Sequence, residues 1–411
     1  MGPGFITGAA DDDPSGIATY SQTGAMFGYN QLWLILVSYP FMTAIQEMCG
    51  RIGLVTGRGL AGVIKEHYSK KILAGTVLLL LVANVINIGA DLGAMAASLQ
   101  LLLPIPFVFL LGAITLITLG LEIFVPYKNY ERFLKYLTLS LLAYIITALM
   151  VKQDWGLVLR STFVPHISLS HDYILNVAAF LGTTISPYLF FWQASEEVEE
   201  EVVKGRIRAM GKGIPRVFRD DIVQMRLDTA LGMLFSQIIT FFIIVTVAST
   251  LGAAGIHTIK TAADAASALK PLAGNFAFLL FTLGILGTGL LAVPVLAGSA
   301  GYAVAEAMGW KEGLSERPMR ARGFYGVIAV ATLVGLVVNL TPIAPMTMLY
   351  YAAILNGVLA PPLMFLLLLI ANNKKILGER TNSKLSNTLG IGVTILMSIV
   401  ALGLLFTIIQ T

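Results

Sequence analysis

Three consecutive carboxylates interrupt an apolar stretch near the start of the chain. Residues 11–16 read Asp-Asp-Asp-Pro-Ser-Gly and separate two apolar halves, 4–10 and 17–29. Neither half is long enough to cross a bilayer, which takes about 20 residues, but the two together are. Each carboxylate in a membrane segment costs about 2.5–3.5 kcal/mol on insertion scales, so three of them indicate a function.

The residues after the carboxylates favour a break in the helix. Pro14 lacks a backbone donor, and Gly16 permits dihedral angles that other residues avoid. A helix broken at mid-membrane, with carboxylates and freed carbonyls at the gap, is a cation site. The alternative is a polar helix cap, in which Asp13 caps a helix that has Pro14 at its first position.

A second apolar stretch carries a matching interruption. Residues 182–188 read Gly-Thr-Thr-Ile-Ser-Pro-Tyr, so a glycine and a proline again bracket small hydroxyl residues. The two breaks occupy equivalent positions if the chain holds two repeats of five spans, which must be inverted because five is odd. Paired interruptions of this kind indicate a transporter's midplane site.

Composition places the whole chain in a membrane. Its 411 residues are 56% hydrophobic and 12% charged, and the mean hydropathy is +0.81, whereas a soluble domain carries about 25% charged residues. The single Cys49 excludes an internal disulfide and a thiolate metal cluster, and the four histidines fall in or near loops. We therefore expect a polytopic all-α membrane protein whose partners are the bilayer and a substrate, with no nucleic acid; a monomer is plausible.

Apolar runs predict about eleven transmembrane helices. They are approximately 4–28, 31–49, 73–99, 105–125, 133–151, 174–194, 229–251, 275–304, 323–341, 347–371 and 388–409. Of the 27 Lys and Arg residues, only Lys152, Arg160, Lys260 and Lys270 lie on one side, and the other 23 lie opposite. The positive-inside rule then predicts a plasma-membrane protein with a cytoplasmic N-terminus and an extracellular C-terminus. No signal-peptide pattern precedes the first span, and its early start suggests that a natural N-terminal tail is missing.

Several local motifs resemble the NRAMP family of divalent-metal transporters. They are Gly2-Pro3-Gly4-Phe5, Asp13-Pro14-Ser15-Gly16, 53–58 (Gly-Leu-Val-Thr-Gly-Arg) and Ala90-Asp91-Leu92. The resemblance covers most of the chain and is strongest in spans one to three. It implies a LeuT-like fold, with broken helices 1 and 6, inverted repeats at 1–151 and 174–371, and an extra span at 388–409.

The departures from the family pattern predict a different ion preference. Asp13 keeps the family's metal-binding aspartate, whereas the asparagine ligand becomes Gly16 and the span-six methionine aligns with Ser186. The family's carbonyl ligand aligns with Thr183, and Asp12 adds a carboxylate beside the break. This pattern resembles the NRAMP-related magnesium transporters. It also agrees with ligand chemistry, because oxygen ligands favour Mg²⁺ and Mn²⁺ whereas thioether sulfur favours softer metals.

The resemblance also bears on proton coupling. Positions linked in the family to proton passage align with Asn84, Ala94, Tyr188 and Gln193. Asn, Ala and Gln do not titrate, and Tyr titrates near pH 10. We therefore expect a secondary transporter that moves Mg²⁺, and also Mn²⁺, as a partly hydrated ion without proton coupling. Asp91, Asp11 and Asp12 leave that expectation open, and no cofactor is expected.

Other functions and roles are alternatives. An ordinary proton-coupled Mn²⁺/Fe²⁺ symporter and an amino-acid carrier share the fold, although three aspartates at the break argue against an anionic substrate. An aspartyl hydrolase needs two carboxylates that share a proton, and no Gly-x-Gly-Asp motif supports an enzyme. Near span ends, the pattern predicts that Glu47, paired with Arg51, and likewise Glu122 and Glu306, extend to the membrane surface. Asn84 and Asn87 are expected to hold helices together.

Overall fold

Residues 2–125 and 139–410 are described by the computed structural model, and within them the chain is helical throughout. The first part contains α1 (Pro3–Asp11), α2 (Pro14–Phe27), α3 (Trp33–Thr56), α4 (Leu60–His67), α5 (Lys70–Gln100) and α6 (Phe107–Phe124). The second begins with α7 (Leu142–Met150), α8 (Trp155–Phe163), α9 (His171–Thr184), α10 (Pro187–Val203), α11 (Arg219–Val247) and α12 (Ala262–Ser267). It ends with α13 (Lys270–Ala273), α14 (Ala277–Met308), α15 (Arg322–Val338), α16 (Pro345–Ala371), α17 (Lys374–Leu377) and α18 (Lys384–Gln410).

Each of the eleven predicted spans coincides with helical structure, the fifth only in its described part. Seven helical segments of the described chain are long and apolar enough to cross a membrane, and an eighth is added if α7 and α8, bent by 117°, count as one. The remaining predicted spans correspond to the α1–α2 pair, to α3 and to the shorter apolar helix α15. The predicted all-α polytopic architecture is therefore confirmed.

Both predicted interruptions are present. The first separates α1 from α2 at Asp12 and Asp13, and the second separates α9 from α10 at Ile185 and Ser186. Each second half begins with a proline at its first position, where the missing N–H costs nothing. The four helix ends are buried and meet inside the protein, the arrangement that a transporter's midplane site uses.

Close backbone contacts hold the two broken helices to their neighbours. A Cβ atom built on Gly8 of α1 would lie 2.3 Å from the backbone of Gly232 on α11. A Cβ atom on Gly182 of α9 would likewise lie 2.1 Å from the carbonyl oxygen of Ala353 on α16. Any side chain larger than hydrogen would separate these helix pairs.

The α1–α11 contact is further fixed at the start of α1. The Asp228 carboxylate of α11 accepts hydrogen bonds from the backbone N–H groups of Gly2 (2.8 Å) and Phe5 (3.0 Å). An aspartate placed in this way satisfies donors that the first turn of a helix leaves free and complements the helix dipole. We call the side of the molecule where α1 begins and most basic loops lie the basic face. The breaks are closed towards it.

On the opposite face, a cavity of about 410 Å³ lies between α2, α9 and α16. Its lining includes Ala18 and Met26 of α2, Asp172 of α9 and Tyr350 of α16. The first-break carboxylate Asp13 is only 1% exposed, so the cavity does not reach it. The conformation is occluded, with more open space on the side away from the basic face.

Candidate cation site at the two helix breaks

Asp13 is the anchor of the first break. One carboxylate oxygen accepts hydrogen bonds from the backbone N–H of Gly16 (2.7 Å) and from the hydroxyl of Ser15 (2.6 Å). The predicted helix cap therefore forms, but it is buried rather than at the surface of the protein. The cap and the cation site are compatible, because the second carboxylate oxygen points towards α10.

Tyr188 covers that second oxygen from across the gap. Its hydroxyl lies 3.0 Å from the carbonyl oxygen of Ala10 and 3.3 Å from Asp13 Oδ2. One hydroxyl proton can serve only one of these acceptors at a time. Tyr188 thus bridges a carbonyl freed at the end of α1 and the carboxylate that begins α2, a role that the sequence did not predict.

The second break satisfies most of its own polar groups. The Ser186 hydroxyl lies 2.9 Å from the carbonyl oxygen of Gly182 and 2.7 Å from that of Thr183, and donates to this end of α9. Its oxygen keeps lone pairs that can face an ion or a metal-bound water. Thr183 Oγ1 lies 3.1 Å from Ser15 Oγ, so a hydroxyl pair joins the two breaks. The structure therefore brings Asp13, Thr183 and Ser186 together.

Gly16 leaves little spare room at its own position. A Cβ atom there would lie 3.2 Å from the Asp11 carbonyl oxygen and from a ring carbon of Tyr20, and 3.5 Å from Thr183 Oγ1. An asparagine at this position would require small shifts of these neighbours. Gly16 has no side chain and therefore offers no side-chain ligand to an ion. Its backbone N–H donates to Asp13.

The three consecutive aspartates do not converge on one point. Asp11 Oδ2 and Asp12 Oδ1 lie 2.8 Å and 3.1 Å from the hydroxyl of Ser236 on α11, whereas Asp13 faces α10. The predicted ligand Asp12 is thus directed to a different helix from Thr183 and Ser186. In the described residues, no group of three or more His, Cys, Asp or Glu side chains has a metal-holding arrangement.

Four buried carboxylates nevertheless surround the first break. Asp11, Asp12 and Asp13 are joined by Asp91 of α5, which lies close enough to Asp13 for an electrostatic interaction. Among the described residues, both oxygens of Asp91 and one oxygen each of Asp11 and Asp12 have no hydrogen-bond partner. Buried carboxylates are costly as unpaired charges, so a cation bound here would stabilise their ionised form.

A polar chain runs from the site towards the basic face. The hydroxyl of Thr7 on α1 lies 2.5 Å from Gln193 Oε1, and Gln193 Nε2 donates to Glu197 (2.9 Å) on α10. Glu197 lines a small cavity with Glu200, Asp228 and other residues of α1 and α11. Sequence spacing could predict the contact between Gln193 and Glu197, which lie one helical turn apart. It could not predict the contact between Gln193 and Thr7.

Two predictions about polar residues in the spans are confirmed. Asn84 donates to the Leu296 carbonyl (2.8 Å) and Ser299 (2.6 Å) of α14, and Asn87 exchanges amide hydrogen bonds with Asn356 of α16. These amides hold helices together. Glu47 pairs with Arg51 at 3.0 Å, as expected, and also with Arg226 at 2.8 Å, but it is buried, so the prediction that it extends to the membrane surface is wrong.

The prediction for the other two glutamates is wrong. Glu122 is buried against Thr332 of α15 (3.2 Å), and Glu306 is buried where it accepts the backbone N–H groups of Gly59 (2.6 Å) and Gly62 (2.9 Å). Glu306 caps the start of α4 rather than extending to the membrane surface. The start of α4 covers Glu306 and α15 covers Glu122, and hydropathy does not detect such tertiary contacts.

Comparison with known proteins agrees with this geometry. Residues 4–407 match the family model described as natural resistance-associated macrophage protein-like, Nramp. A divalent metal cation transporter MntH of Caldanaerobacter subterraneus is 24% identical over 95% of this chain and 89% of its own. The rice metal transporter Nramp5 is 31% identical, over 46% of this chain and 36% of its own.

Solved structures show the same fold. A manganese transporter of Eremococcus coleocola aligns with a TM-score of 0.76 over 98% of this chain and 85% of that chain, at 15% identity. Mhp1, a nucleobase-cation-symport-1 family transporter, aligns with a TM-score of 0.63 over 99% of this chain and 91% of that chain, at 13% identity. These two neighbours confirm the predicted LeuT-like fold. With a family model matched along almost its entire length, the chain belongs to the Nramp family.

Proposed function

We propose that this protein is a secondary transporter, not an enzyme, that moves divalent cations by alternating access, with Mg²⁺ as the main substrate and Mn²⁺ as a second one. The observation that carries the proposal is the donor set at the breaks. Ser15 donates to Asp13 and pairs with Thr183 across the gap, and Ser186 donates to the Thr183 carbonyl. The donors at the breaks are therefore oxygen atoms, and none of Asp13, Thr183 and Ser186 is a sulfur ligand. Hard cations prefer such oxygen donors, and thioether sulfur would favour softer metals.

The state of these oxygens favours an ion that keeps part of its water shell. The Ser186 hydroxyl donates its hydrogen bond to carbonyls of α9. Asp13 already accepts hydrogen bonds from Ser15 and Gly16. Few direct ligands therefore remain for a bare ion. Mg²⁺ loses water reluctantly and usually binds through one or two carboxylates plus waters. Lone pairs on Ser186 and Thr183 are suited to accept hydrogen bonds from those waters.

Asp12 receives a different role from the one first expected of it. Because it points to Ser236 with Asp11, it acts through its charge rather than as a direct ligand of the bound ion. Buried negative charge of this kind raises the local concentration of cations. Direct ligation by Asp12 requires that its side chain leave Ser236.

We infer that transport is not coupled to protons. The residue at the second break is Tyr188, whose hydroxyl is held by the Ala10 carbonyl, and Gln193 is held between Thr7 and Glu197. Asn84 is engaged with α14. None of the three titrates near neutral pH. The ion gradient and the membrane potential then drive uptake, at about 2.3 kcal/mol per charge per 100 mV.

The proposed cycle uses α1 as the moving part on the basic face. The Asp228 cap and the Gly8–Gly232 contact close that face, while the cavity between α2, α9 and α16 lies on the other face and would extend to Asp13 when that side opens. Repeats at 1–151 and 174–371, with an extra span at 388–409, would rock against each other around the fixed breaks. We place the basic face in the cytoplasm of a plasma-membrane protein, with the C-terminus outside.

A proton-coupled manganese carrier is the second candidate. It is favoured by Asp91, whose two buried oxygens lack partners, and by relatives that are named as manganese transporters. Uptake into proteoliposomes separates the two candidates. We expect Mg²⁺ to enter and to compete with Mn²⁺; vesicles that take up Mn²⁺ with neither Mg²⁺ flux nor Mg²⁺ competition would favour the second candidate.

A further inference from the structure

A cavity of about 730 Å³ lies on the outer surface of the helix bundle, between α16 and α18. It is lined by residues that share one face of each helix, together with one residue before α5: Tyr68, Phe365, Leu368, Leu369, Asn372, Asn373, Ile391, Thr394 and Ile395. On each helix the lining residues recur every three or four positions, so the two faces form a continuous groove.

Most of the groove is apolar and accessible. Phe365 is 59% exposed, Leu369 45%, Ile391 48% and Ile395 55%. These side chains belong to segments that are long and apolar enough to cross a membrane, so their exposed faces contact lipid chains. A recess of this length and chemistry fits an acyl chain, because its apolar walls can pack against successive methylene groups.

One end of the groove is polar. Asn372 and Asn387 exchange two side-chain hydrogen bonds of 2.7 Å, which tie the end of α16 to the beginning of α18. Tyr68 and Asn373 line the cavity at the same end. The groove therefore has an apolar body and a polar rim at the basic face, which is the polarity of a phospholipid in that leaflet.

The rim is surrounded by positive charge. Lys70 and Lys71 follow Tyr68 in the chain, Lys374 and Lys375 follow Asn373, and all four are exposed. No ion pair involves them within the described ranges 2–125 and 139–410. Glu66 is the nearest acidic neighbour of Tyr68 in the sequence, and it is paired with Arg58 at 3.0 Å. The exposed Glu379 is the one acidic residue of the α17–α18 loop.

We propose that this groove is a binding site for an anionic phospholipid of the leaflet at the basic face. One acyl chain lies along Phe365, Leu369 and Ile395, and the phosphate headgroup contacts the four lysines beyond Tyr68 and Asn373. Basic residues at the membrane surface attract anionic lipids, and basic pockets between spans bind their headgroups. The occupant braces α18 against α16, whichever ion the transporter carries.

The test compares two lipids of equal chain length on the full chain in detergent. We expect dioleoyl phosphatidylglycerol to raise the Tm by about 3 °C or more beyond dioleoyl phosphatidylcholine. Native mass spectrometry should show one retained phosphatidylglycerol. The combined Lys70→Gln, Lys71→Gln, Lys374→Gln and Lys375→Gln variant should lose this preference. Thr394→Trp, which fills the groove, should lose the retained lipid.

Two controls make the result decisive. The Lys260→Gln/Lys270→Gln variant removes two exposed lysines from the other side and should keep the full preference. Raising NaCl from about 0.1 M to about 1 M on the unchanged protein shortens the Debye length from about 10 Å to about 3 Å, so it should also remove the preference. Equal stabilisation by both lipids, or a preference that survives in the four-lysine variant or at high salt, overturns the proposal.

Discussion

The two helix breaks share a backbone design and differ in chemistry. Each ends one helix, passes through two non-helical residues and starts the next helix at a proline. The first break carries Asp11, Asp12 and Asp13, whose carboxylates keep two unpartnered oxygens. The second carries Ser186, whose hydroxyl satisfies the carbonyls of its own helix. One break therefore supplies charge, and the other supplies a neutral wall of oxygen atoms.

This division assigns affinity and selectivity to different helices. Charge attracts any divalent cation, so we propose that the first break sets how tightly an ion binds. We propose that the neutral oxygens of Thr183 and Ser186 set which ion is preferred, since oxygen ligands favour hard, hydrated cations over those that prefer sulfur. Substitutions at the two breaks should therefore have different signatures.

Loss of charge at the first break should have the largest effect. Asp13→Asn keeps a helix cap of equal quality and removes only the negative charge. We expect Mg²⁺ and Mn²⁺ binding to fall together by roughly 100-fold or more, with uptake abolished, because ligand charge sets affinity. Isothermal titration measures binding, and Asp172→Asn, in the outer cavity, is the matched control. Uptake at the unchanged rate in Asp13→Asn would remove the central role of this residue.

The contacts that close the two faces should give the next largest effect. Gly8→Ala separates α1 from Gly232 on the basic face, and Gly182→Ala separates α9 from Gly357 on the other. We expect both variants to lose most uptake, with opposite accessibility: Gly8→Ala opens towards the basic face and Gly182→Ala opens away from it. Gly392→Ala is the control, since a Cβ atom there lies 3.7 Å from the nearest side chain.

Thiol labelling from each side measures that accessibility. Met225→Cys reports on the cavity at the basic face and Met346→Cys on the opposite cavity, and both methionines are buried in the present conformation. The native Cys49 is fully buried and gives little background. Gly8→Ala should increase labelling at position 225 only. An increase at position 346 instead would contradict the assignment of α1 as the closure of the basic face.

Replacement of Gly16 and Ser186 by the family's ligands should change ion selectivity rather than affinity alone. Restoring the family's ligands with Gly16→Asn and Ser186→Met adds an amide oxygen and a thioether. We expect the Mg²⁺-to-Mn²⁺ uptake ratio to fall about tenfold, as the softer site favours Mn²⁺. Gly16→Ala controls for the crowding that a Cβ atom meets at Tyr20. A well-folded double variant with an unchanged ratio would show that these positions do not select the ion.

Removal of one bridging hydroxyl should give the smallest effect. Ser15→Ala deletes the contacts with Asp13 (2.6 Å) and Thr183 (3.1 Å) but leaves the carboxylate and its backbone hydrogen bond. A hydrogen bond to a charged group contributes about 1.5–3 kcal/mol, part of which an added water restores. We expect a several-fold rise in the KM for Mg²⁺ with little change in Tm. A loss as large as that of Asp13→Asn would place Ser15 among the direct ligands.

The sequence predicted the breaks more fully than the contacts made there. Glycine and proline act on their own backbone, so both interruptions were visible in the amino-acid order, and Asp13 stood out by its cost in a membrane. The direction of Asp12 depends on Ser236, more than 200 positions away, and no local pattern encodes that contact. The role of Tyr188 likewise depends on the distance between α1 and α10. Glu306 was misjudged because α4 folds back over it.

Simultaneous recording of Mg²⁺ entry and internal pH in proteoliposomes tests the central claim most directly. The account holds that a hard-oxygen site passes Mg²⁺ with no proton. It predicts Mg²⁺ influx that increases with an inside-negative potential, is lost in Asp13→Asn, and leaves a pH-sensitive dye inside the vesicles unchanged. Acidification that accompanies Mg²⁺ or Mn²⁺ entry and disappears in Asp13→Asn would show proton coupling and contradict the account.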